Sequence, residues 1–85
     1  MSQSSTRTFR GITARAAMMY LERLGGVVTE DGIVEGDGWI ARVEGGTAKV
    51  GPTLRIDEVT IEFEGDDELN DIIVKFKQKA VRAGG

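Results

Sequence analysis

Four carboxylates crowd one short stretch, Asp57, Glu58, Glu62 and Glu64, and two glycines close the sequence at Gly84 and Gly85. These are the groups whose types and spacing could carry chemistry. Paired carboxylates can act as general acid and base or hold a divalent cation. A side-chain-free glycine pair can thread a narrow adenylating channel and present the terminal carboxylate as an acyl group, which makes Gly84-Gly85 a candidate conjugation or thiocarboxylation handle. Both features also have a plain structural reading. Glu58, Glu62 and Glu64 alternate with Val59, Ile61 and Phe63, so they fall on the outward face of a strand, where their charge stays solvated and discourages edge-to-edge pairing. Glycine after a helical run terminates the helix and frays.

Beyond these groups the chemical repertoire is thin. The 85 residues include no histidine and no cysteine. Disulfides, thiolate nucleophiles, Cys/His zinc sites and an imidazole proton shuttle are thereby excluded. The "GDGW" stretch at Gly36–Trp39 resembles short loops that bind phosphate or calcium, yet the other liganding acids of a calcium loop are missing, and it reads as a tight turn. No nucleophile, base and orienting group come together at recognisable spacing. The expectation is a protein that is not an enzyme, with no catalytic, cofactor-binding or metal-ligating residues.

Charge narrows the partners. Residues 1–21 carry three arginines and no acid, residues 22–64 carry ten acids against four bases, and residues 65–85 balance four against four. Backbone binding to nucleic acid needs a concentrated basic face, so nucleic acid is not an expected partner. Uninterrupted apolar runs fall far short of the roughly 20 residues that cross a bilayer. With no signal-like opening segment either, the expectation is a cytoplasmic protein that does not engage membranes.

The elements that position these groups follow from periodicity. Residues 1–5 are small, polar and unpatterned, and read as a disordered tail; 6–82 form one domain; 83–85 read as a flexible glycine-rich end. A strand is predicted in "TRTFRGI", then a helix capped by Thr13, with Ala14, Ala17, Met18, Leu21 and Leu24 on its buried face and Gly25-Gly26 ending it. Period two takes over next. "GIVEG" is a strand, the glycines at 36 and 38 a turn, and "WIARVE" a strand that buries Trp39, Ala41 and Val43 while Ile40, Arg42 and Glu44 face outward. Gly45-Gly46 reads as another turn, and "TAKVGPTLRI" as an extended segment. The apolar parity changes from Leu54 and Ile56 to Val59, Ile61 and Phe63, which calls for a bulge or a tight turn at Asp57-Glu58, and the two polar residues there favour a turn between two antiparallel strands. A closing helix begins at Asp66 or Asp67 and buries Leu69, Ile72, Ile73, Phe76 and Ala80. The class is therefore α+β, in the order strand, helix, four strands, helix, with one antiparallel sheet and both helices on one face.

The pieces "MMYLERLGG", "GIVEGDGWIARVE", "KVG", "LRI" and "VTIEFEGDDE", followed by the glycine end, resemble the C-terminal domain of MoaD-related proteins, relatives of the molybdopterin synthase small subunit. The resemblance spans about residues 18–85. It implies a TATA-binding-protein-like fold, in agreement with the element order. In the full-length proteins this domain follows a ubiquitin-like β-grasp domain whose diglycine end carries activated carboxylate or sulfur. This sequence lacks that domain, so the resemblance implies a stand-alone accessory domain and does not carry sulfur-carrier function over.

Three functional expectations result. The first is a non-enzymatic accessory or interaction module associated with ubiquitin-like sulfur carriers. Its partner would be the carrier, its activating enzyme or a second copy bound through the open sheet face or a sheet edge. Ile40 and Arg42 mark its candidate interaction surface, because an apolar residue on a solvated sheet face signals contact. The second is a small modifier using Gly84-Gly85. The third is a small-molecule binder with its site between sheet and helices.

Overall fold

The computed structural model describes residues 3–66 and 69–84, with side chains through Val81. Five strands and two helices follow the order β1 (Gln3–Arg10), α1 (Ala14–Arg23), β2 (Val27–Glu30), β3 (Ile33–Gly36), β4 (Trp39–Lys49), β5 (Arg55–Gly65) and α2 (Leu69–Gly84). The strands form one sheet in the order β1-β5-β4-β3-β2, and every neighbouring pair is antiparallel. The strand-helix-four-strand-helix order expected from the sequence is the observed one, although the four middle strands are divided differently along the chain, and it fits a TATA-binding-protein-like arrangement.

Both helices cover the same face because the odd-numbered residues of β4 and β5 all point there. Ala41 pairs with Phe63 and Val43 with Ile61, and these side chains share one core cluster with Ala17 and Leu21 of α1 and Ile72, Ile73 and Phe76 of α2. Phe76 is fully buried at the centre. Its ring meets Phe9, Tyr20 and Phe63 edge-on at centroid distances of 5.0, 6.2 and 5.9 Å, so one α2 residue ties an edge strand, a central strand and the other helix together. This fills the centre of the space between the layers. α1 is set by Thr13, whose Oγ1 accepts from the Ala16 N–H at 3.1 Å, and the predicted buried stripes of both helices are the observed ones.

Four details differ from the sequence reading. Gly45-Gly46 is not a turn: both residues lie inside β4, paired with Val59 and Glu58. Gly45 is there because α1 comes down onto it; a Cβ at 45 would sit 2.9 Å from the Ala14 Cβ. Asp57-Glu58 is not a turn either, since β5 runs unbroken from Arg55 to Gly65. The parity change is real, but Leu54 is exposed and Ile56 lies with Glu58 on the helix-free side, so the two halves of the strand need not face the same core. The chain reverses instead across Val50–Leu54, where the Val50 N–H donates to the Leu54 carbonyl at 3.0 Å.

The third difference is β2, which the sequence reading passed over. Its four residues are all exposed and make only one edge pairing, leaving no apolar alternation to detect. The fourth lies at the ends. β1 begins at Gln3, which pairs with Gly65, rather than at Thr6, and α2 continues to Gly84 rather than ending at Arg82. Of the two expected caps of α2, Asp66 accepts the Leu69 N–H at its carbonyl at 3.0 Å, while Asp67 is outside the described residues.

A candidate interaction surface on the helix-free face

Antiparallel register assigns each side chain of the bare face. On β5 the even-numbered residues Glu58, Thr60, Glu62 and Glu64 point away from the helices, opposite Arg10, Thr8, Thr6 and Ser4 of β1 on one side and Gly46, Glu44, Arg42 and Ile40 of β4 on the other. The acid cluster singled out in the sequence is therefore a solvated row in the middle of the sheet. Only Asp57 leaves it, pointing to the opposite side by alternation.

Arginines bracket this row. Arg42 Nη1 reaches Glu62 Oε1 at 3.0 Å and Glu64 Oε2 at 3.4 Å, and Arg10 Nε reaches Glu58 Oε2 at 3.2 Å. Five carboxylates, those of Glu35, Glu44, Glu58, Glu62 and Glu64, share the face with these two guanidiniums. Its surface is acidic. All the ion pairs are open to water, so Glu58, Glu62 and Glu64 are solvated, paired groups. Among the described residues no group of three or more Asp or Glu side chains is placed to hold a metal ion.

Ile40 and Arg42 sit side by side on this face, as expected from their parity. Ile40 is half-buried between Glu35 of β3 and Glu64 of β5, while Arg42 is opposite Ile33 and Glu62. The structure adds Ile33. It lies diagonally from Ile40, also half-buried, and with Arg42, Glu62 and Thr60 lines a depression of about 550 Å³. "GIVEG" was legible as a strand in the sequence, but which of its residues faced outward depended on its register with β4. The Asp37-Gly38 turn fixes that register by pairing Gly36 with Trp39.

Trp39 belongs to the core instead. A Cβ at Gly36 would collide with its indole ring, so the absence of that Cβ leaves room for the ring. The second candidate site is at the other end of the chain. Gly84 falls in the last turn of α2 and Gly85 is outside the described residues.

The archaeal MoaD-like protein family model matches residues 5–85, all of the fold but the first two residues of β1. The chain belongs to the archaeal MoaD-like protein family. No curated protein matches it. Family membership relates the chain to MoaD-like proteins of the sulfur-carrier, ubiquitin-like kind, and partnership with sulfur-transfer enzymes fits that setting. None of the helices described is long and apolar enough to cross a membrane.

Proposed function

We propose that this family member is a non-enzymatic interaction module that serves a ubiquitin-like sulfur carrier or its activating enzyme in the cytoplasm, docking through the helix-free face around Ile40 and Arg42. The observation that carries this reading is the placing of two diagonally related apolar residues, Ile33 and Ile40, beside a guanidinium that reaches two carboxylates, Glu62 and Glu64. An ordered arginine loses little side-chain freedom when a partner closes over it, which favours binding. Complementarity calls for a partner surface with basic groups around an apolar centre.

A second reading makes the chain itself a small modifier through Gly84-Gly85. It needs an extended, side-chain-free tail, and the winding of Gly84 into α2 favours the first reading. One experiment separates the two. The isotopically labelled chain is titrated with an archaeal ubiquitin-like sulfur carrier and, separately, with its adenylating enzyme, following backbone amide resonances. Perturbations centred on Ile33, Ile40 and Arg42, abolished by Ile40→Glu, support the interaction module. Absence of perturbation by either protein overturns it. A thiocarboxylate or adduct mass on Gly85 in protein isolated from its native cell, lost on deleting both glycines, establishes the modifier instead.

A further inference from the structure

β1 is an edge strand eight residues long. It contains no proline and its register with β5 is unbroken, so its outer side offers a regular row of main-chain donors and acceptors. Above the same edge α2 presents Val74 and Val81, 46% and 68% exposed. Strand and helix meet in a seam of two linked depressions, which a third continues along α2. The first and second share Arg7, Asn70 and Ile73, and the second and third share Val74, Lys77 and Val81. From Leu69 to Val81 the seam follows about 18 Å of helix at about 1.5 Å per residue. An extended peptide crosses that distance in about five residues.

Among the described residues the charges lining the seam are of one sign. Arg7 faces the helix side, opposite Ile61, and with Lys77 lines the central depression of about 330 Å³ over a floor of Phe9 and Ile73. β1 itself carries two arginines and no acid, in a chain of net charge −3. A second copy of this chain added edge to edge would bring the basic side chains of β1 and α2 against their own duplicates, which is unfavourable across a strand pair. An acidic segment meets them with opposite charge.

We propose that the β1 edge and the Val74–Val81 groove form a docking site for an extended, acidic segment of a partner protein, which adds to the sheet as a sixth strand. Main-chain hydrogen bonds to β1 supply attachment, and the side chains of every second residue, which face the helices, supply selectivity: within that one set, apolar ones seat on Val74 and Val81 while acids reach Arg7 and Lys77. This site is on the opposite side of the sheet layer from the Ile40–Arg42 surface and does not depend on the sulfur-carrier reading.

The test uses the full chain and fluorescein-labelled hexapeptides in which threonine at every second position separates the groove-facing residues, either Glu-Val-Glu or Lys-Val-Lys, measured by anisotropy. The glutamate peptide is expected to bind at least tenfold more tightly than the lysine peptide, with amide resonances of β1 shifting most. The double variant R7E/K77E is expected to invert that preference. Methylating one alternate set of the peptide's amide nitrogens, those aimed at β1, abolishes binding, whereas methylating the other set leaves it within about twofold because those amides face solvent. Four outcomes overturn the proposal: no binding of the glutamate peptide up to millimolar concentration, equal binding of both peptides, binding indifferent to both methylation patterns, or a concentration-dependent dimer of the unliganded chain whose β1 amides are protected.

Discussion

Gly45 lies directly beneath Ala14, with the space between them too short for a second Cβ: one placed on the glycine would be 2.9 Å from the Ala14 methyl. The contact sets how closely the first turn of α1 approaches β4, and hence how Ala17 and Leu21 reach the core. Gly45→Ala is expected to destabilise the fold by about 1–3 kcal/mol through overpacking. Removing the opposing methyl in the double variant G45A/A14G should recover part of that loss. Urea denaturation of the four species of this cycle measures the coupling, and an additive result would show that Gly45 is present for another reason.

The aromatic cluster around Phe76 concentrates stability in one side chain. Phe76 has no solvent exposure and three edge-on aromatic neighbours. Phe76→Ala should cost about 3–5 kcal/mol, a large share of the roughly 5–15 kcal/mol that holds a small domain folded. Phe9, half-buried at the edge strand, should cost clearly less on the same truncation. Thermal or urea unfolding of the two variants ranks them, and equal losses would contradict the central placement of Phe76.

These two positions also show what the sequence could and could not reveal. Phe76 was legible because its spacing from Leu69, Ile72, Ile73 and Ala80 is a helical stripe that needs no partner to be recognised. Gly45 was misread because a glycine pair between apolar runs signals a turn locally, and only the descent of α1 onto β4 gives it another cause. The shift in apolar parity at Ile56 misled for a related reason. It presumes one continuous core, whereas none of the residues from Gly46 to Glu58 belongs to the main cluster. On the candidate surface, Ile40 and Arg42 followed from alternation within one strand. Ile33 and the bracketing of Glu62 and Glu64 by Arg42 required pairing between strands, which single-strand periodicity does not encode.

Arg42 should contribute little to stability despite its two ion pairs. Its side chain and those of Glu62 and Glu64 are each close to half exposed, a setting in which such pairs contribute up to about 1 kcal/mol and are screened by salt. Arg42→Ala is expected to shift the urea midpoint only slightly, and the difference from wild type should shrink between 50 mM and 500 mM salt, approximate concentrations chosen to span strong and weak screening. A large, salt-independent loss would mean that the alkyl stem packs against the sheet more than the charges matter.

The distal half of the β4–β5 hairpin should be the least protected part of the sheet's central pair. Residues Thr47–Lys49 pair with Arg55–Asp57, but these strand ends lie outside the main core cluster, and Val50 and Leu54 at the reversal are exposed. Near Val43 and Ile61, by contrast, the same two strands are flanked by β3 and β1 and covered by the helices. Local opening takes less free energy where few apolar contacts must be broken. Amide hydrogen exchange is therefore expected to be faster at Ala48 and Ile56 than at Val43 and Ile61 wherever the amide is cross-strand bonded, by at least tenfold, which corresponds to about 1.4 kcal/mol. Leu54→Asn should leave both the global unfolding midpoint and this gradient unchanged, since the side chain is already 58% exposed. Uniform protection along the whole hairpin would instead show that its far end unfolds only with the domain.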